Sequence, residues 1–220
     1  MLQRIGSMLY FVKTPWWLKR LYPRCVWDIQ VKEKILYLTF DDGPHPVVTP
    51  FVLDQLQQYN AKATFFCIGK NVAAHPDIYR RILDEGHRVG NHTFHHLNGW
   101  KVTDELYLKN ILAAGKYIDS NLFRPPYGKI TRFQVKLLTG IRNSPVNSNF
   151  SIIMWDVLSG DFDVALTAEA CTVNVIKNAQ PGSVIVFHDS EKAFPRLQEA
   201  LPKTLQYFSE KGYRFEAVRL

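Results

Sequence analysis

The chain has 220 residues, 46% hydrophobic and 21% charged, an ordinary globular composition with length enough for one buried core. Its three cysteines, Cys25, Cys67 and Cys171, are odd in number, far apart and free of any C-x-x-C pair, which argues against a disulfide framework and against a cysteine metal cluster. The net charge is +7, of which +5 falls in residues 1–27, where Arg4, Lys13, Lys19, Arg20 and Arg24 meet no acid.

Residues 1–30 therefore read as a basic, aromatic N-terminal arm, with Tyr10, Phe11, Trp16, Trp17, Tyr22 and Trp27, ahead of a domain at 31–220. Such an arm suits a peripheral membrane-surface contact or a cover over the bottom of the main domain. Pro15 and Pro23 interrupt any long amphipathic helix and favour the cover. The charge comes with no recognised nucleic-acid-binding motif, so no nucleic-acid partner is expected. The apolar stretch 8–12 is short for a signal peptide, and no run reaches the ~18 apolar residues of a membrane span.

From residue 35 the pattern alternates. Ile35–Phe40 is apolar on both faces, as a strand between layers is. Thr49-Pro50 opens a helix to about Tyr59, "ATFFCI" (63–68) is a strand, and Pro76 opens a helix stopped by Gly86. A short strand at 87–92, a helix from about Thr103 to Ser120 and a strand at 122–124 follow. Next come a helix at 131–138, a strand at 151–155 and a helix at 167–178. The strand "SVIVF" (183–187), a helix from about Phe194 to Lys211 and a strand at 213–218 complete the chain. Roughly seven strand–helix alternations call for an α/β fold with parallel strands, and an open doubly wound sheet and a closed barrel both fit.

The polar clusters share one location. Asp41-Asp42 follow the first strand and His92, His95 and His96 the third. Arg124 ends the fourth, Asp156 and Asp161 follow "SIIMW", and His188-Asp189 follow "SVIVF". In parallel α/β folds the carboxyl ends of strands converge on one face, where active sites form. A buried carboxylate pair needs a cation, and "HTFHH" is the best source of one. On a helical turn, His92 and His96 would present both imidazoles to one ion. Two His and one carboxylate leave coordination positions open, while the second aspartate faces the attacking water as a base. His45, His75, His87 and His95 read as structural or solvated.

Five segments resemble, in order, the five motifs of the polysaccharide deacetylases, the NodB-homology domains of carbohydrate esterase family 4. They are "TFDDGP" (39–44), "HTFHH" (92–96), "RPPY" (124–127), "WDVLSGDF" (155–162) and "VFH" (186–188). The resemblance implies a distorted (β/α) barrel of about seven parallel strands. It implies Asp42, His92 and His96 as ligands of a divalent metal, commonly zinc, with cobalt or manganese as alternatives. Asp41 would be the general base, gripped and oriented by Arg124, whose guanidinium suits a bidentate hold. The Tyr127 N–H would bind the developing oxyanion, and His188, paired with Asp161, would protonate the leaving amine. Pro126, Tyr127, Phe162 and Val186 would line the substrate site, Val186 at the acetyl methyl. The implied partner is a glycan or oligosaccharide bearing N-acetylglucosamine, in peptidoglycan or a chitin-like chain.

Three positions depart from the family pattern. Leu158 replaces an aspartate, Phe162 a tryptophan and Val186 a leucine. They leave the metal and acid–base parts intact and bear on the substrate pocket. The alternatives are an O-acetyl polysaccharide esterase, a hydrolase of small C–N substrates on the same barrel, and a non-catalytic sugar-binding relative. "HLNGWK" (96–101) and "NSPVNSN" (143–149) would shape the mouth. Asp156 either takes a polar role or faces solvent.

Overall fold

The computed structural model describes residues 2–5, 8–140 and 149–220, with side chains from Tyr10 onward. All of 143–149 except Asn149 lies outside the described residues. After an antiparallel hairpin, β1 (Leu2–Ile5) and β2 (Met8–Phe11), come a short helix α1 (Trp16–Leu21) and strand β3 (Cys25–Val26). Strands and helices then alternate: β4 (Ile35–Asp41), α2 (Val48–Gln58), β5 (Thr64–Cys67), α3 (Gly69–Ala74), α4 (Pro76–Asp84) and β6 (Arg88–Asn91). They continue through α5 (Asp104–Gly115), β7 (Leu122–Phe123), α6 (Arg132–Leu138), β8 (Ser151–Ile153) and β9 (Val157–Leu158). The last elements are α7 (Ala168–Asn178), β10 (Val184–His188), α8 (Phe194–Glu210) and β11 (Arg214–Phe215).

The strands form one curled sheet in the order β3-β8-β7-β6-β5-β4-β10-β9, every pairing parallel, with β11 added to β4 off that path. This is the expected distorted (β/α) barrel, with eight strands on the path rather than about seven. The additions, β3 and β9, are two-residue strands too short to show a periodicity in sequence. The helix expected to reach Ser120 ends at Gly115, and only Arg214–Phe215 of the expected last strand pairs. Every residue of β4 is buried, because the strand is covered on both sides. Tyr37, Phe66, Leu122, Ile153 and Val184 fill the barrel interior. Leu36, Leu38 and Phe40 face outward against Val52, Leu56, Leu197 and Leu201 of α2 and α8.

The path ends at β3, paired to β8, and at β9, and the N-terminal arm, which itself carries β3, runs between these two ends. The Leu158 N–H donates to the Val12 carbonyl at 2.8 Å and Thr14 N–H to Asp156 at 2.9 Å. On the other edge Met154 N–H donates to Val26 at 2.7 Å. Between them lies Asp156, fully buried rather than solvent-facing. Its carboxylate accepts from Lys13 (2.5 Å), Lys19 (2.8 Å) and Ser183 Oγ (2.6 Å). Burial alone would raise its carboxyl, and the two ammonium groups with the hydroxyl hold it below its ordinary value. No helix among the described residues is long and apolar enough to cross a membrane.

Asp156→Ala would leave Lys13 with the Asn178 carbonyl, Lys19 with Asp28 and Ser183 Oγ without its acceptor, at a cost of about 3 kcal/mol for opening this buried cluster. Denaturant unfolding should show the loss at pH 7. A depressed carboxyl contributes in full above its unfolded value of 3.8 and loses that contribution as pH falls from there through its lower folded value, so the deficit should fade below about pH 4.

Candidate functional site

β4 delivers two adjacent carboxylates to the carboxyl end of the barrel in different ways. Asp41 is the last strand residue, stands beside His188 in the β4–β10 register and points inward. Asp42 leaves the strand at φ 87°, a left-handed conformation that turns its side chain outward from Asp41. Asp189 braces this turn. Its carboxylate accepts from Gly43 N–H (3.0 Å) and from Thr49 Oγ1 (2.5 Å), and its own N–H donates to the Asp41 carbonyl (3.0 Å). A Cβ at Gly43 would be driven into that carboxylate, which is the reason for glycine there. Burial pushes the Asp189 carboxyl up to about 8.

Asp41 meets Arg124, one of the largest fully buried side chains. Arg124 Nη1 donates to Asp41 Oδ1 at 2.7 Å and to Thr39 Oγ1 at 2.7 Å. Nε and Nη2 donate to the carbonyls of Ile153 (3.0 Å) and Met154 (2.9 Å), and the guanidinium sits 4.1 Å over the Phe66 ring. The expected bidentate grip is thus a single contact, because two strand carbonyls occupy the rest of the fork.

The histidines come together on a loop and not on a helical turn. β6 ends at Asn91, and Thr93 (φ 63°) and His96 (φ 56°) are both left-handed. The loop hangs from two buried asparagines. Asn91 Oδ1 accepts from Thr93 N–H (2.9 Å), and Asn110 Oδ1 of α5 accepts from Phe94 and His95 N–H, both at 2.9 Å. The imidazoles of His92 and His96 lie 5.0 Å apart, centroid to centroid. Nε2 of His96 stands 3.2 Å, and Nε2 of His92 3.7 Å, from Asp42 Oδ1. His92 Nδ1 lies 2.8 Å from the Arg124 carbonyl, an acceptor only, so Nδ1 carries the proton and the Nε2 lone pair faces Asp42. Burial pushes His92 down to about 4, so it is neutral at pH 7. Burial would raise the Asp42 carboxyl, but the imidazoles of His96, His188 and His92 overcome it and hold it well below the carboxylate range.

Those three side chains form a candidate metal site, each offering one ligand atom within 4.8 Å of the others. The donor set fits a divalent ion. Asp42 Oδ1 is a buried oxygen without a hydrogen-bond partner among the described residues, and it faces two imidazole nitrogens.

On the opposite side, His188 Nδ1 bonds Asp161 Oδ1 at 2.7 Å, and His188 N–H donates to Asp161 Oδ2 at 2.7 Å. Burial would lower His188, yet the fully buried Asp161 carboxylate raises it to about 9, leaving an imidazolium at pH 7. Arg196 Nε holds the Asp161 carbonyl at 2.5 Å. Phe162 packs edge-on against His188 at 5.1 Å and is backed by Tyr10 of the arm at 5.3 Å. Val186 is buried two residues before His188 on the same strand face. Pro126 is buried, and Tyr127 (φ 59°) is 56% exposed at the rim with its hydroxyl 3.1 Å from His96 Nδ1.

The structure therefore brings Asp41, Asp42, His92, His96, Arg124, Tyr127, Asp161, Phe162, Val186 and His188 to one end of the barrel. Asp156 belongs to the seam instead. Asp189, which the sequence placed on this face without a role, supports the site together with Thr39, Asn91 and Asn110, which were not singled out for it. Asp189 carried a signal in its adjacency to His188, whereas Asn110, in mid-helix, carried none. His87 accepts from Ala63 N–H (3.1 Å) and His45 from the first amides of α2 (3.2 Å), both structural.

Known proteins resemble this chain in sequence and fold. The family described as polysaccharide deacetylase matches residues 28–140. A peptidoglycan-N-acetylglucosamine deacetylase of Bacillus cereus is 36% identical over 87% of this chain and 90% of its own. A chitooligosaccharide deacetylase of Azorhizobium caulinodans is 35% identical over 73% and 76%. The crystal structure of the Bc1960 peptidoglycan N-acetylglucosamine deacetylase superposes with a TM-score of 0.81 at 34% identity, covering 93% of this chain and 95% of that one.

Asp161→Asn should move the His188 titration from about 9 toward or below its ordinary 6.5, read from its imidazole resonances. A raised histidine stabilises the fold below its unfolded value and loses that contribution as pH rises through its folded one. The variant's stability deficit should accordingly be full near pH 6 and shrink by about pH 10.

Proposed function

The chain belongs to the polysaccharide deacetylase family, and from that premise we propose that it hydrolyses the acetamide of N-acetylglucosamine units in peptidoglycan or a chitin-like glycan. The observation that carries the reading is the division of the site: an orphaned Asp42 oxygen facing two imidazoles on one side, an imidazolium on the other. Asp42, His92 and His96 would hold a divalent metal, with zinc suited to this nitrogen and oxygen set. When bound, the ion supplies a Lewis acid that polarises the acetyl carbonyl and acidifies the attacking water.

The protein's own groups do the rest. Asp41, fixed by Arg124 and next to Asp42 in sequence, takes a proton from the attacking water. Tyr127 sits in a tight turn whose next two amides bond the Pro125 and Pro126 carbonyls at 3.0 Å, and its own N–H binds the oxyanion. His188 donates its Nε2 proton to the leaving amine while Nδ1–H stays on Asp161. An amine leaves poorly from carbon unless protonated, so a histidine charged at neutral pH suits an amide more than an ester. Val186 and Phe162 bound the acetyl side, with Pro126 and Tyr127 opposite. In this reading residues 31–220 are the catalytic unit and 1–30 the arm that seals it.

The test is acetate release from chitooligosaccharides, peptidoglycan and acetylated xylan, with and without chelator and with zinc, cobalt or manganese restored in turn. Chelator-sensitive release from the first two, above xylan, is expected. Release from none, by a protein shown to hold metal, would move the assignment to a small-substrate hydrolase or a sugar-binding protein. Asp41→Asn and His188→Ala should each lower turnover ~10²–10⁴-fold with metal content unchanged, whereas His92→Ala should lose the metal. Loss of metal in Asp41→Asn would overturn the division of roles.

A further inference from the structure

On α1, residues 16, 17, 20 and 21 fall within an arc of about 140° at helical spacing, while Leu18 and Lys19 turn to the other side. Lys19 is committed there to Asp156 and Asp28. The outward arc is therefore Trp16, Trp17, Arg20 and Leu21, and all four are exposed, Trp16 by 68%. The Arg20 guanidinium lies over the Trp16 ring at 5.9 Å. Across from it, α6 shows the same pattern: Arg132 and Lys136, four apart, flank Phe133 on one exposed face.

Between these helices runs a groove of about 400 Å³. Arg20, Arg24, Arg132 and Lys136 line it, with the exposed Leu21 at its edge and the buried Val135 beneath, and no acidic side chain is among its lining residues. Nothing in the catalytic site explains four cations with no acidic partner among the described residues, nor large apolar side chains left in water beside them.

We propose that this face docks on an anionic phospholipid bilayer surface, with headgroup phosphates in the four-cation groove and Trp16, Trp17, Leu21 and Phe133 in the interfacial layer. Charge complementarity selects the anionic surface, and indole rings flanked by arginines select a membrane over a soluble polyanion, which offers nothing for them to bury in. The face also lies near the mouth of the barrel: Tyr22, at the groove, bonds the Ile130 carbonyl at 3.2 Å, three residues beyond Tyr127. Docking there holds the catalytic rim close to the bilayer. The inference does not depend on which substrate the site takes.

The test is sedimentation of the full chain with vesicles of phosphatidylglycerol and phosphatidylcholine in equal parts, against phosphatidylcholine alone, at about 0.1 M and about 0.5 M salt. Binding to the anionic vesicles at low salt is expected, with a blue shift of tryptophan emission. Changing Arg20, Arg24, Arg132 and Lys136 together to glutamine should weaken it at least tenfold, and Trp16→Ser with Trp17→Ser should abolish the emission shift. Circular dichroism melts and acetate release from soluble chitooligosaccharide should stay at the parent level in both variants. Equal binding by the glutamine variant, or parent binding to soluble polyglycerophosphate but not to vesicles, overturns the proposal.

Discussion

A charged guanidinium with no solvent access lies inside the barrel, and the rest of the structure is arranged to keep it there. Arg124 leaves β7, crosses the interior and bonds Thr39 and Asp41 of β4 and the carbonyls of Ile153 and Met154 at the end of β8. Burying a cation is tolerable only when its donors are met, and four acceptors from two other strands meet them. The same contacts fix the reactive carboxylate against the barrel wall. The Arg124 carbonyl sets the tautomer of His92, so one residue governs both halves of the dyad at Asp41 and Asp42. Removing it would leave Asp41 buried without its partner, a structural and a chemical loss at once.

Two histidines of the site are driven in opposite directions. His92 is neutral because burial dominates and its Nδ1 faces a neutral carbonyl. His188 is cationic because a buried carboxylate outweighs the same burial. Residue type alone would make them alike. The partner of Nδ1 separates a lone-pair donor from a proton donor, which is how one pocket holds both functions at one pH.

Much of this was legible in sequence. The apolar run at 35–40 and the alternation after it gave a parallel α/β fold, the family resemblance chose the barrel over an open sheet, and the clustering of Asp, His and Arg after strands gave the face of the site. What escaped has a common cause. Left-handed backbone at Asp42, Thr93 and His96 brings the ligand atoms together, and no spacing rule reports positive φ at a non-glycine residue. The HxxxH spacing was therefore informative while the helical turn inferred from it was not. β3, β9 and the arm's pairings are equally silent, because two-residue strands carry no period and their partners lie far along the chain. Asp156 could not be placed without knowing that Lys13 and Lys19 reach it.

The seam also has a consequence in time. Lys13 and Asp156 are 143 positions apart, and they close the ring together with the backbone bonds from Val12 and Thr14. On a ribosome the arm emerges before the barrel and waits, its aromatic side chains without their partners, until most of the barrel has been made. Closure is thus a late, long-range event, slow by the entropy of so large a loop. A stretch with three tryptophans and unpaired strand edges is then a natural target for a holding chaperone, and protection of its amides from exchange should arise last in refolding.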